Sequence, residues 1–314
     1  MTAVPKMEAH LFAKKRKKSV RTDYMLCAML IPGFIYLAIF EFAPLFGLVI
    51  GFQDFKLSTG VFRSGWKGID NFRYIFTMYP NFWNIVKNTV EIALLKLCFG
   101  FTAPIFVSLM LHEVTHSGYK RTIQTLVYIP HFVSWVILAG IIRTMLDPDN
   151  GLINYIIKLL GGESIYFLGS NSTFRGVLVV SDVWKGFGWG TIIYMAALTG
   201  IDPALYEAAT IDGANRLQRA YHITLPGILP IITLNLILSV PGILNAGFDQ
   251  IFNLYNERVY KTADVLDTFI YRLGILDSQY ALSTAIGMVK SVIGSVLLIF
   301  SYKVAEKAVG YKVF

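Results

Sequence analysis

Six stretches of this chain are long and apolar enough to predict helices that cross a lipid bilayer: residues 24–50, 88–111, 122–146, 176–199, 227–252 and 284–302. Crossing the hydrocarbon core takes about 20 mostly apolar residues. In lipid the backbone must satisfy its own hydrogen bonds, so an unpaired segment of this length has to be helical. The composition agrees, with 55% hydrophobic and only 15% charged residues in 314, too little polar surface for a soluble domain of that size. Pro32, Gly33, Pro44, Pro230, Pro241, Gly242, Gly287 and Gly294 fall inside the first, fifth and sixth runs, where packed neighbouring helices tolerate them.

Six spans put both termini on one side. Lysine and arginine number 14 in the 62 residues of segments 1–23, 112–121, 206–222 and 303–314, against 10 in the 96 residues of 53–87, 147–175 and 253–284. That bias makes the first set cytoplasmic. The expected organisation is a basic cytoplasmic segment at 1–23, a membrane domain at 24–302 and a cytoplasmic tail at 303–314. "KKRKKSVR" at 14–21 reads as the flank that orients an uncleaved first span, not as a nucleic-acid contact. Cys27 and Cys98, both inside apolar runs, are too few for a disulfide framework or a cysteine-based zinc site.

"LMLHEVTHSGYKR" at 109–121 spells H-E-x-x-H with His112, Glu113 and His116. On a single helix the two histidines would share a face and hold zinc, with Glu113 activating a bound water. An intramembrane zinc protease is therefore a remote alternative, with Asp147, Asp149 and Asp212 as superficial third ligands. The topology opposes it: Asp147 ends the third span opposite His112, about 30 Å away across about 20 residues. Asp212 is on the right side but belongs to another pattern, so no metal site is assigned. Nor does the chain contain G-x-x-x-x-G-K-[ST]; "GVFRSGWK" at 60–67 has Trp66 where the motif needs lysine, so any ATP and its magnesium would be bound by another subunit.

Between the fourth and fifth spans runs "IDPALYEAATIDGANRLQRAYHITLPGILP". Asp202 and Pro203 start a short amphipathic helix as capping carboxylate and first-turn proline. Gly213 lets the chain turn out of it, and Pro226 opens the next span. Glu207-Ala208-Ala209, Asp212-Gly213, then Leu225-Pro226 resemble the EAA loop (202–226) of bacterial ABC-importer permeases. The run Glu113–Trp135, with Lys120, Arg121, Gln124, Tyr128, Pro130 and Ser134, is similar to the maltose-permease-like superfamily, in its polysaccharide and lipoprotein-B-like branch. His112 and His116 stand where that branch commonly has asparagine. The tail "EKAVGYKVF" resembles the first permease of a pair.

This resemblance, over about residues 20–310, implies an all-α integral membrane protein with six transmembrane helices. It implies the type I ABC-importer permease fold, with a cytoplasmic EAA coupling helix docking on an ATPase. It also implies a bacterial cytoplasmic-membrane transport subunit, not an enzyme, that imports an oligo- or polysaccharide. Its partners would be a second homologous permease, two ATPase subunits and an extracytoplasmic binding protein. A permease for peptides, amino acids or phosphate is the alternative.

Charges deep in a span face a bundle interior or a water-filled cavity. Asp182, Lys185, Gly186 and Trp189 follow at i, i+3, i+4 and i+7 in the fourth span. They read either as a sugar site with Trp189 as a stacking wall, or as an Asp182–Lys185 pair that neutralises itself. The resemblance places Asp182, Gly186 and Trp189 on the sugar cavity; Lys185 is unusual there and would suit an acidic sugar. Asn245, Phe248, Asp249 and Phe252 are expected on one face of the fifth span, against the same cavity. Glu91 is expected to pair with Lys87 on the helix surface, and no role is assigned to Lys96 or Lys290.

Overall fold

The computed structural model describes residues 20–309. The 1–19 and 310–314 segments, which hold most of the basic run and the end of the tail, lie outside the described residues. The chain divides into two units, Met1–Val49 and Ile50–Phe314.

In the first unit, helix α1 covers Val20–Leu37 and continues through a π turn at Ala38–Phe42. The cause is two residues further on. Pro44 has no N–H, and in a regular helix its ring would clash with the carbonyl of residue 40, so the i→i−4 ladder slips to i→i−5 ahead of it. The same arrangement recurs at Ala220–Thr224, a π turn two residues ahead of Pro226. Cys27–Phe52 is one helical stretch of 26 residues with the length and hydropathy of a span.

The second unit opens with a two-stranded antiparallel ladder, β1 (Gln53–Asp54) and β2 (Gly65–Trp66). Buried Asn71 ties it down by donating to the carbonyls of Gly51 and Gln53, both at 2.9 Å. The main remaining elements are helices: α2 (Asp70–Thr77), α3 (Phe82–His112), α4 (Ser117–Phe132), α5 (Trp135–Met145), α6 (Leu152–Leu159), α7 (Phe174–Leu198), α8 (Pro203–Ile211), α9 (Arg216–Leu244), α10 (Phe248–Leu254), α11 (Leu266–Tyr271) and α12 (Tyr280–Val309). Four stretches in the described residues qualify as membrane spans, the one ending at Phe52, α3, α9 and that in α12, and five if α4 and α5 count as a broken one. The 25-residue α7, which carries Arg175, Asp182 and Lys185, is not among them.

Two expected spans are corrected. The run 122–146 is not one helix: α4 and α5 meet at 102°. The first piece ends at Phe132, two residues past Pro130; Val133 and Ser134 are extended, and the Ser134 hydroxyl caps the next helix by accepting from the Ile137 N–H. The run 227–252 also breaks. Helix α9 ends at Leu244, and Gly247, at φ +93°, turns the chain into the separate α10. That left-handed conformation is one that L side chains avoid.

Between helices surrounded by lipid, association depends on close packing of small residues and on polar contacts, not on expulsion of water. Helix α7 supplies both. A Cβ on Gly188 would lie 1.9 Å from the Val127 carbonyl oxygen of α4, and one on Gly190 would lie 2.7 Å from the Pro104 ring of α3. Bare backbone at these positions is what lets α7 touch both neighbours. Fully buried Phe174, Leu178, Ile92 and Ile251 fill the core between α3, α7 and α10. At the end of the unit where α7 begins, Arg175 pairs with Glu91 at 2.5 Å and donates to Asn88 at 2.7 Å. Asn88 in turn donates to the carbonyls of Lys261 and Asp264. Glu91 also makes the expected i,i+4 pair with Lys87, at 3.5 Å.

Candidate functional site

Midway along α3 and α7, against the broken end of α9, lies a cavity of about 380 Å³, lined among others by Lys96, Gly100, Asp182, Gly186, Asn245 and Gly247. Its polar centre is Lys96. The ammonium donates to the Ala246 carbonyl at 2.7 Å and to the Gln250 side chain, and it faces Asp182 at 3.4 Å. Gln250, fully buried, then donates to the Leu178 carbonyl and the Ser181 hydroxyl, both at 2.7 Å. Three segments far apart in sequence thus converge on one charge. The break after α9 is part of the device: a Cβ on Gly247 would come within 2.8 Å of the Lys96 nitrogen, so glycine serves both the turn and the ammonium.

Asp182 and Lys185 do not pair with each other. Helical geometry of about 100° per residue puts Gly186 about 40° to one side of Asp182, and Lys185 about 60° and Trp189 about 20° to the other. The structure uses this division. Asp182 and Gly186 face α3 and the cavity, whereas Lys185 and Trp189 face the α4–α5 break. The Lys185 ammonium donates to the carbonyls of Pro130, His131 and Val133 at 3.3, 2.7 and 2.6 Å, supplementing the Val133 N–H that already reaches the Pro130 carbonyl where the helix end runs short of donors. Trp189 stacks flat on His131, with centroids 4.5 Å apart and planes 3° apart. These two residues brace the kink and do not line the cavity with Asp182.

The expected face of Asn245, Phe248, Asp249 and Phe252 does not form, because Gly247 divides it. Asn245 lines the cavity. Phe248 and Phe252 stack on each other at 5.2 Å and pack on Tyr271. Asp249 is exposed and outside the cavity lining. Sequence reasoning missed Lys96 and Gln250. A lysine inside a span was the available signal for the first; nothing local marks the second. Lys290, likewise unassigned, pairs with Asp267.

At the end of the unit where α3 finishes, α8 stands where a helix start was expected. Asp202 caps it by accepting from the Ala204 N–H at 2.9 Å, and Gly213 leaves it at φ +78°. Glu207 and Ala208 are exposed and Ala209 half-buried, with Asp212 and Gly213 exposed beyond them. Ile211 and Leu217 show 86% and 79% of their surface. Leu225 is half-buried and Pro226 exposed, at the point where the π turn gives way to regular helix.

The H-E-x-x-H helix does not exist. Helix α3 ends at His112, and His116 belongs to the start of α4, where its Nδ1 accepts from the Tyr119 N–H at 3.2 Å. The two imidazoles are therefore on different elements. Among the described residues no three His, Cys, Asp or Glu side chains gather as a metal site would require.

The family described as the binding-protein-dependent transport system inner membrane component matches residues 100–309. Protein LplB of Bacillus subtilis (strain 168) is 42% identical over 289 residues, covering 92% of this chain and 91% of that protein. The polygalacturonan/rhamnogalacturonan transport system permease protein YteP of the same organism is 39% identical over 307 residues, 96% of this chain and 95% of its own. A chain of a bacterial ABC transporter involved in the import of the acidic polysaccharide alginate superposes with a TM-score of 0.85 at 38% identity, covering 93% of this chain and 98% of the other. The alginate transporter in complex with an alginate pentasaccharide-bound periplasmic protein matches equally, at 0.85 and 38%, over 94% and 99%.

Proposed function

The chain belongs to the family of binding-protein-dependent transport system inner membrane components, a family of ABC-importer transport subunits, and on that premise we propose that it forms part of the membrane path for an oligo- or polysaccharide. The observation that carries the proposal is the cavity: a carboxylate, an amide and glycine backbone, with Phe101 and Phe187, open midway along otherwise apolar helices. Hydroxyl-rich ligands with apolar ring faces suit such a mixture of convergent polar groups and aromatic walls. Similarity along nearly the whole chain to permeases named for saccharide transport supports the same cargo.

In this reading the four apolar stretches, the α4–α5 pair and α7 make six spans, and both termini are cytoplasmic. Helix α8 is the coupling helix. Small Ala208 and Ala209 let an ATPase subunit approach closely, Glu207 offers a charge to a basic partner, and Ile211 and Leu217 supply exposed apolar contact. A second, related permease completes the path, two ATPase subunits bind ATP and magnesium, and an extracytoplasmic binding protein delivers the saccharide. ATP binding biases the permease pair between inward- and outward-facing packings.

The test is ATP hydrolysis by the reconstituted complex, stimulated by binding protein loaded in turn with alginate pentasaccharide, oligogalacturonate, maltopentaose or a pentapeptide. Stimulation by the saccharides is expected; stimulation by the peptide alone would replace the cargo assigned here. Glu207→Lys is expected to abolish uptake while the protein still inserts and assembles with its partner permease. Normal uptake by that variant would remove α8 from the coupling role.

A further inference from the structure

We infer that the H-E-V-T-H connection is a strut that fixes α8 to the end of α3, so that the two move as one body when the ATPase subunits close. This inference rests on the coupling role proposed for α8. The His112 ring lies against the Tyr206 ring of α8, with centroids 5.6 Å apart and planes tilted by 45°. Tyr206 reaches on: its hydroxyl donates to the Thr224 hydroxyl at 3.1 Å, and Thr224 is buried within α9. Arg219 donates to Thr210 of α8 at 3.0 Å, closing the loop on its other side. Glu113, the residue after His112, points its carboxylate at Arg216 at 3.9 Å.

Helix α8 buries none of its own residues, so these few contacts decide what its movement pulls on. One of them is the last residue of α3. Lys96, on the same helix, lies sixteen residues before His112, about 24 Å along the axis, and lines the cavity. A displacement of α8 that carries His112 with it therefore tilts the wall bearing Lys96. The two histidines that spell a metal motif have separate tasks: His112 bears on Tyr206, and His116 caps the next helix. The exposed Glu113–Arg216 approach is secondary, because such pairs contribute little.

The strut is tested by locking it. In a chain with Cys27→Ser and Cys98→Ser, which removes both exposed native thiols, His112→Cys and Tyr206→Cys are joined by a short bis-maleimide. The assembled complex is used, nucleotide-free and vanadate-trapped. Crosslinking at similar rates in both states, with the crosslink restoring the saccharide-stimulated hydrolysis that the two substitutions lower, is expected of a rigid joint. Crosslinking in only one state, or a crosslink that arrests turnover, would overturn the strut. The state comparison needs only the ATPase and nucleotide, so it reads the joint even where the saccharide panel fails and the cargo reading falls. In parallel, His112→Ala should lower the stimulated rate about fivefold, the population change that losing one aromatic contact produces, and His112→Phe should restore it. If His112→Phe fails as His112→Ala does, the ring contact is not what matters.

Discussion

Lys96→Met keeps the length of the side chain and removes its charge, so its effect reports what the ammonium does. Three acceptors lose their donor: the Ala246 carbonyl, the Gln250 amide oxygen and the Asp182 carboxylate. Removing one member of a buried ion pair costs about 3–5 kcal/mol. Here the lysine side chain is only 9% exposed but Asp182 is 36% exposed, and the carboxylate regains water when its partner leaves. That lowers the expected loss to about 2–3 kcal/mol. In nanodiscs, followed by tryptophan fluorescence at one scan rate, the apparent midpoint should fall by about 5–10 °C. Adding Asp182→Asn removes the stranded charge and should recover about 1 kcal/mol of that loss. A Lys96→Met protein that melts with the parent, or a double variant whose loss is the sum of the single ones, would refute the reasoning. Lys96 would then be a tolerated lysine and not the centre that joins α3, α7 and the α9–α10 break.

Two other substitutions test the packing around α7. Lys185→Met takes the ammonium away from three carbonyls at the α4–α5 kink. It should cost about 2–3 kcal/mol and speed maleimide labelling of a reporter Val133→Cys in the same background; unchanged labelling would mean that the kink holds itself. Gly188→Ala forces a Cβ onto the Val127 carbonyl, which is backbone and cannot turn aside, so a loss of about 2 kcal/mol or more and poorer assembly are expected. Gly176→Ala on the same helix meets nothing within 4 Å and should be neutral or stabilising by up to about 1 kcal/mol. Equal effects at the two glycines would contradict the close approach of α4 and α7.

Much of the helical layout was legible because its causes are local. A run of about 20 apolar residues has one backbone solution in lipid, and Asp202-Pro203 and Gly213 mark the ends of a short helix by capping and by left-handed geometry alone. Breaks were harder to read. The 122–146 run is mostly apolar on both sides of the break, and Pro130 by itself leaves open a kink, a bend or a stop; what stabilises a 102° turn there is Lys185, more than fifty residues away. The fifth run misled for a related reason. A glycine within a span is usually tolerated, and nothing local shows that Gly247 takes a left-handed turn with the Lys96 ammonium packed against it.

By itself, then, the sequence determined that the chain is a helical membrane protein, where most of its apolar helices run, and that α8 has a capped start and a glycine exit. Only the tertiary structure decided which charges meet. Asp182 has Lys185 one turn away on its own helix, yet it faces Lys96, because α3 crosses α7 on that side while the α4–α5 break claims the other. It also decided that H-E-x-x-H is not one helix, since α3 ends at His112 and His116 caps the next element. Pairing across a bundle depends on which faces pack, and that is set by contacts between residues some 70 to 150 positions apart, which no local pattern encodes.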